Sequence, residues 1–233
     1  MTVGCRFGVW TLVFAAFVLA CAPPREAVRP APGKPGIVHP PQPGEAARGR
    51  ELAAALIRRH GLHRDPALLR YANLVGMAVA LHSDRPELPY AVGILDTGEV
   101  RTFSVPGGYL FITRGMLEAL GDEAELAGVL AHAVAHVARG HTRGMTFKRL
   151  LEGFSLAQEQ EADRLATLYL RRVGYDPRGL RDALRRLRSI PAARGQRIPS
   201  RLESLEGFLF RTGLGLAQGA RLPERFRRYA GKP

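Results

Sequence analysis

Cysteine is scarce in this sequence, and the few apolar runs are short. The 233 residues include two cysteines, Cys5 and Cys21, and both fall in the first 21 positions. No disulfide framework is therefore available to the folded domain. The apolar run Val9–Ala20 is too short for a comfortable transmembrane helix, and with Arg6 before it we interpret it as the core of an export signal.

The end of this run predicts a lipoprotein leader. Val18-Leu19-Ala20-Cys21 resembles a bacterial lipobox, in which the cysteine is lipidated; an ordinary secretory signal is the alternative. Residues 1–21 are thus a predicted signal peptide with Cys21 as the lipidation site. Residues 22–44, rich in Pro, Gly and Ala, form a predicted semi-rigid tether. We expect an exported protein, lipid-anchored at the periplasmic face of a membrane, with Ala22 favouring the outer membrane.

Acidic residues are the scarcer charged class. The chain has 21 Asp and Glu against 34 Lys and Arg, a net charge of +13, and most of the excess follows Arg171. Nucleic-acid binding is one interpretation, but the export signal and the lack of interleaved aromatic residues argue against it. Attraction to an anionic membrane surface or simple solvation of helix faces explains the charge better, so no nucleic-acid partner is expected.

From Glu45 onward the sequence alternates between helix and strand patterns, and it predicts an α+β fold that is mostly helical with a small β-sheet. Asp65-Pro66 and Asp122, with Glu125 three residues later, are helix-start signals. Helices are predicted over 46–59, 65–81, 113–120, 122–140, 145–173, 177–190, 201–210 and 223–229, and strands over 90–95, 100–105 and 109–112.

Two histidines in the helix ending near Gly140 are the main chemical signal. His132 and His136 are four residues apart, so both side chains project from one helix face. Such a pair can share a tetrahedral zinc, as in the H-E-x-x-H signature. Here, however, Ala133 occupies the glutamate position.

The following helix offers the carboxylates that such a site needs. Glu159 is the candidate third ligand of a His₂Glu site. Asp163, one turn later, is placed to accept the ring N–H of a ligating histidine. Glu161 points about 200° from Glu159 on a regular helix and is expected to be solvent-exposed. His141, on a continuing helix, would lie about 140° from the zinc face, so we do not expect it to be a ligand.

Several motifs in order resemble the HtpX / CAAX-prenyl-protease family of gluzincin metallopeptidases, in particular its soluble, BepA-like periplasmic branch. The motifs are Ser104–Gly115, Asp122–Ala127, Leu130–His132, Glu159–Arg164 and Gly174–Pro177. The similarity covers roughly residues 46–187. It implies a zincin-like metallopeptidase domain over residues 45–190, with the small β-sheet beside the histidine helix. Residues 191–233 would be a basic C-terminal extension packing on this domain.

The resemblance also implies site residues. One Zn²⁺ would be bound by His132, His136 and Glu159, and Asp163 matches the family aspartate. The strand before the Pro-Gly-Gly turn would lie along the substrate; it comprises Thr102, Phe103, Ser104, Val105, Pro106 and Gly107.

Four departures from the family pattern bear on activity. Ala133 replaces the glutamate that activates the attacking water and passes its proton to the leaving amine, so no catalytic residue is intact. Arg101-Thr102-Phe103 stands where the family often has Asn-Ala-Phe. No histidine follows His141, although the family has a supporting histidine segment near its carboxyl end. The segment from His136 to Glu159 is also shorter than usual.

Together these features predict an exported zinc metallopeptidase-family protein whose implied role is peptide hydrolysis in envelope protein quality control, and whose own hydrolysis is weak or absent. Such a protein would hold unfolded or envelope polypeptides along its edge strand. A working peptidase that uses another base, such as a partner's carboxylate, is one alternative. A structural lipoprotein is another. An introduced inactivating change at Ala133 is a further explanation, which the retained leader argues against.

Overall fold

The computed structural model describes residues 43–193 and 195–231. The predicted leader with Cys21, and the predicted tether up to residue 42, lie outside the described residues. The predicted α+β class is confirmed, since the described chain is mostly helical with one small sheet. The helices are α1 Glu45–His60, α2 Pro66–Ala80, α3 Arg114–Ala119, α4 Glu123–Ala138, α5 Phe147–Glu152, α6 Leu156–Val173, α7 Gly179–Leu187, α8 Ile198–Thr212 and α9 Pro223–Ala230, and the strands are β1 Ala91–Leu95, β2 Thr102–Val105 and β3 Tyr109–Thr113.

The sheet has the order β1-β3-β2. β1 runs parallel to β3, and β2 runs antiparallel to it with Ser104 opposite Leu110. Within the described residues β2 pairs only with β3, so it is an edge strand. A tight turn, Pro106–Gly108, joins the two strands, and Gly107 adopts a positive φ of 77° there, a conformation that favours glycine.

Helix α4 is the centre of the fold. All 16 of its residues are buried, and it packs against α2, α6, α7 and β2. Small side chains allow this crowding: a Cβ added to Gly128 would lie 2.5 Å from the Leu180 nitrogen, and one added to Gly179 would lie 2.2 Å from the Ala124 oxygen. The backbones of α4 and α7 therefore touch at two reciprocal glycines.

The start of α4 uses only half of the predicted capping box. The Asp122 side chain accepts a hydrogen bond from the Glu125 N–H at 2.9 Å. The Glu125 carboxylate instead accepts from the Gly121 N–H at 2.7 Å, so it satisfies a backbone donor one residue earlier. The N-terminus of the histidine helix is fixed by both carboxylates.

The prediction of one helix over residues 145–173 is wrong, because the chain breaks at Gly153-Phe154-Ser155. Gly153 ends α5 with φ 88°, and Ser155 starts α6 with a complete capping box to Gln158. The helical periodicity on both sides continues through the break in sequence, but the cap residues stop one helix and start the next. The predicted strand over 100–105 is also shorter, starting at Thr102.

The C-terminal helices share the core of the rest of the domain. α8 packs against α6 and α7, and α9 packs against α2 and α4. The buried Glu123 on α4 holds α9 in place: its carboxylate accepts from Arg225 and from the hydroxyls of Tyr71 and Tyr175. None of the helices within residues 43–193 and 195–231 combines the length and apolarity that crossing a bilayer requires.

The close approach of α4 and α7 predicts a position-specific effect of adding a methyl group. Gly128→Ala forces a methyl onto the Leu180 backbone and should lower the free energy of unfolding by about 1–3 kcal/mol. Gly207→Ala on α8 is the matched control, because its methyl meets only the flexible end of Arg211 at 3.1 Å. It should be neutral or stabilising by up to about 1 kcal/mol. Equilibrium urea unfolding compares the two; equal stabilities would contradict the packing argument.

Candidate metal centre

Helices α4 and α6 bring three metal-ligating side chains together. The Nε2 atoms of His132 and His136 are 3.1 Å apart. Glu159 lies opposite them, with Oε2 3.3 Å from His132 Nε2 and Oε1 3.9 Å from His136 Nε2. One ligand atom from each residue lies within 4.8 Å of the others.

These distances fit a tetrahedral zinc site. Ligand atoms bound to Zn²⁺ at about 2.0–2.1 Å are about 3.3 Å apart at tetrahedral angles, close to two of the three separations observed. Both histidines are buried and the Glu159 side chain is only 16% exposed. The three residues could therefore hold a metal ion.

Asp163 supports the first of these histidines. Its Oδ1 lies 2.8 Å from His132 Nδ1, and its side chain is 1% exposed. On the other side it pairs with Arg201 of α8, whose Nε and Nη2 donate to the two carboxylate oxygens at 2.9 and 2.6 Å. Arg201 Nη1 also lies 3.2 Å from Glu159 Oε2, so one guanidinium binds both Glu159 and Asp163.

The pKa values of the two histidines are shifted in opposite directions. Burial and Arg201 oppose protonation of His132, but Asp163 and Glu159 outweigh them and raise its pKa. Burial, followed by the neighbouring His132, holds the pKa of His136 well below its usual value. Burial alone would raise the pKa of Asp163, yet Arg201 and His132 bring it down to about 2. Without a metal, His132 therefore favours the imidazolium form.

A second set of contacts surrounds His136. His141 Nδ1 lies 2.9 Å from His136 Nδ1, and Phe154 stacks on the His136 ring with centroids 3.7 Å apart. The three-residue metal cluster does not include His141. Glu161, expected to be solvent-exposed, is 34% exposed, and its carboxylate also pairs with Arg139 at 2.7 Å and with His141 at 3.3 Å.

A cavity of about 450 Å³ opens beside the three candidate ligands. Three of the six predicted substrate-strand residues, Thr102, Phe103 and Ser104, line it. The other three, Val105, Pro106 and Gly107, are buried beside α1, where the Gly107 N–H donates to Glu45 at 3.3 Å. The structure therefore brings only the first half of the predicted substrate strand to the cavity.

Ala133 lies between the two histidines and is 1% exposed. Its carbonyl accepts a hydrogen bond from the Ser104 hydroxyl at 3.0 Å, which ties β2 to α4. Its methyl group cannot accept a proton. Besides Glu159, two carboxylates among the described residues line the cavity, those of Glu99 and Glu152.

Sequence reasoning missed Arg201, which was counted with the solvated arginines of the C-terminal segment. A signal was present, because Arg201 falls within an apolar stripe on α8. The buried positions on this face are Ile198, Arg201, Leu202, Leu205 and Leu209. A charged residue inside such a stripe is forced into the core and needs a buried partner.

The buried pair between Arg201 and Asp163 predicts a large loss of stability when the cation is removed. Arg201→Met removes the guanidinium that pairs with both Asp163 and Glu159, so one of these buried carboxylates loses its counter-charge, and the change should cost about 3–5 kcal/mol in urea unfolding. Arg185→Met is the control, since its partner Glu206 is 44% exposed and such surface pairs contribute under about 1 kcal/mol. Similar losses in both variants would show that Arg201 is not a structural counter-ion.

Comparisons with known proteins agree with this geometry. Residues 70–152, which include α4 with both histidines and end before α6, match peptidase family M48. The chain is 25% identical over 164 residues to the β-barrel assembly-enhancing protease of Escherichia coli K12, an alignment covering 54% of this chain and 34% of that protein. The Yersinia pestis protein of the same name is 24% identical over 161 residues, covering 53% and 33%. The chain thus spans about a third of the length of these curated relatives. The chain is therefore metallopeptidase-like: residues 70–152 match peptidase family M48, and the aligned region is similar to the β-barrel assembly-enhancing proteases.

Proposed function

We propose that this protein binds one Zn²⁺ through His132, His136 and Glu159 and hydrolyses peptides weakly or not at all. The observation that carries the proposal is the contrast within one helix: two histidines are in ligating geometry with Glu159, while Ala133 stands between them without a proton acceptor. The match of residues 70–152 to peptidase family M48 supports zinc as the metal.

The residues of this chain account for metal binding without further groups. A zinc ion in this site would supply Lewis acidity toward a peptide carbonyl. Asp163 holds the Nδ1 side of His132 at 2.8 Å, so that Nε2 faces the other ligands. Arg201 Nη1 lies 3.2 Å from Glu159 Oε2 and orients this carboxylate beside the two histidines.

The loss of hydrolysis follows from proton transfer. A general base typically contributes about 10²–10⁴-fold to the rate, and the family glutamate performs two proton transfers. Ala133 can perform neither. Thr102, Phe103 and Ser104 still line the cavity, so the chain keeps a β-strand edge on which an extended peptide can lie.

The cellular role we propose is that of a non-catalytic holder of unfolded or envelope polypeptides. The relatives are named for enhancing β-barrel assembly, which supports a substrate of this kind. Export through residues 1–21 and a lipid anchor at Cys21 at the periplasmic face, with the outer membrane favoured, are part of the proposal, and the lipobox resemblance supports them.

A working peptidase is the second candidate. Glu99 and Glu152 line the same cavity as the ligands, so a carboxylate of this chain could replace the missing base. Glu99 is on the β1–β2 connection and Glu152 is on α5. A structural lipoprotein, in which the histidines only pack, is the third reading and predicts no stoichiometric metal.

The decisive comparison is between the protein as it stands and Ala133→Glu. We expect about one zinc per chain in both, because the missing glutamate is not a ligand, and casein hydrolysis above background only in Ala133→Glu. Zinc is measured by atomic absorption after dialysis, and hydrolysis by release of fluorescent peptides. Glu159→Gln in the Ala133→Glu background is the control and should lose metal and activity together.

Each outcome separates the candidates. Robust cleavage by the unmodified protein would overturn the non-catalytic proposal, and loss of that cleavage in Glu99→Gln or Glu152→Gln would identify the substitute base. Absence of zinc from both proteins would support the third candidate, a structural lipoprotein in which the histidines only pack.

The raised pKa of His132 predicts proton release on zinc binding. At about pH 6 the imidazolium form of His132 predominates. The pKa of His136 is lowered, so this ring is already neutral and zinc has no proton to displace from it. Zinc must therefore displace about one proton, and its affinity should fall about tenfold per pH unit below the pKa of His132. Calorimetry in two buffers of different ionisation enthalpy counts the protons; a count near two or zero would contradict the assignment.

A further inference from the structure

The turn after α4 folds His141 back against His136. The Gly140 N–H donates to the Val137 carbonyl and the His141 N–H to the His136 carbonyl, both at 3.0 Å. This is a Schellman motif, and Gly140 has the φ of +71° that the motif requires and glycine favours. The helix ends at this point, so residue 141 folds back against the last helical turn. On a continuing helix it would lie about 140° from the face that carries His132 and His136.

Both ring nitrogens of His141 face a partner. Nδ1 lies 2.9 Å from His136 Nδ1, and Nε2 lies 3.3 Å from Glu161 Oε2. The other oxygen of Glu161 accepts from Arg139 Nε at 2.7 Å. The His141 side chain is only 9% exposed, and the His136 side chain that it contacts is 1% exposed, so the contact between the two rings is shielded from water.

The chemistry of these groups sets the direction of the hydrogen bonds. A carboxylate only accepts, so the hydrogen of the outer contact belongs to His141 Nε2. Because Arg139 already balances the charge of Glu161, His141 is not needed as a cation and we assign it as neutral. A neutral imidazole has a single N–H, and in His141 it is on Nε2. His141 Nδ1 is therefore an acceptor, and the hydrogen shared by the two Nδ1 atoms belongs to His136. The lone pair of His136 then lies on Nε2, the atom 3.1 Å from His132 Nε2.

We propose that His141 and Glu161 are positioning residues that hold His136 in its Nδ1–H tautomer and so present Nε2 to the metal. Phe154 fixes the plane of the same ring by stacking on it. Each histidine of the centre then has its own partner at Nδ1, Asp163 for His132 and His141 for His136. The tautomer stands independently of metal binding, and only its consequence for affinity rests on the proposed function.

The tautomer is measurable in the metal-free protein. Long-range ¹⁵N NMR of the imidazole rings, assigned with a His136→Gln sample, should show His136 protonated at Nδ1 and His141 protonated at Nε2. His141→Phe removes the acceptor, so His136 should shift toward the Nε2–H form. His141→Asn retains an oxygen close to the former Nδ1 position and should restore the Nδ1–H form. An Nε2–H tautomer of His136 in the unmodified protein would overturn the proposal.

Zinc affinity provides the second readout. His141→Phe should weaken zinc binding by about 10–100-fold, and His141→Asn should recover most of the loss. His82→Phe is the control, since the His82 side chain is exposed and its ring Nδ1 lies 2.9 Å from the Ala78 carbonyl of α2; it should leave affinity unchanged. Unchanged affinity in His141→Phe would overturn the positioning role. If the unmodified protein binds no zinc, the proposed function fails while the NMR result still decides the tautomer.

Discussion

The pairing of buried charges around His132 is the interaction on which the rest of the structure depends. Asp163 and Arg201 are almost completely buried, and an unpaired ion in such a place costs several kcal/mol. Their pairing requires α6 and α8 to meet beside α4. Helix α8, in the segment after residue 190, is therefore part of the centre. With His132 protonated, as its raised pKa favours, the formal charges of Glu159, Asp163, Arg201 and His132 cancel.

Close packing of backbone against backbone gives this charge cluster a rigid frame. α4 is buried along its whole length, and the reciprocal glycines Gly128 and Gly179 let α7 approach it directly. On the opposite side, the Ser104 hydroxyl bonds to the Ala133 carbonyl and holds the edge strand β2. The positions of the two histidines are therefore fixed by tertiary packing, which dominates over helix propensity in a helix of this kind.

Local geometry explains which parts of the centre were predictable from sequence. The pairing of His132 with His136, and of Glu159 with Asp163, follows from the spacing of a regular helix, while the combination of the two pairs rests on the order of the family motifs; the structure places the three candidate ligands together. The partners of Glu161 do not follow from helical spacing, because they lie at the C-cap of α4 and in the turn after it. Arg201 depends on how α8 packs, a long-range property that its apolar stripe only hints at.

Caps explain the remaining differences in the fold. Gly153 and Ser155 divide a segment whose apolar periodicity favours one helix, because a left-handed glycine and a capping box each satisfy orphaned backbone groups. The break has a consequence for the site: it places Phe154 on the face of His136, a contact that one continuous helix would not provide.

The candidate metal ligands have side-chain partners in the fold, whereas residue 133, the position of the general base, has none. This difference explains how the centre can keep its ligands while it lacks a group for proton transfer. Each candidate ligand has a buried partner, so removing a ligand leaves a charge or a hydrogen-bonding group unsatisfied, at a cost of about 1–3 kcal/mol or more. Residue 133 has no such side-chain partner, and alanine has the highest helix propensity. A glutamate there would add a negative charge to a cluster whose formal charges already cancel. The absence of the proton acceptor therefore has little effect on the free energy of unfolding, whereas loss of a candidate ligand would lower it.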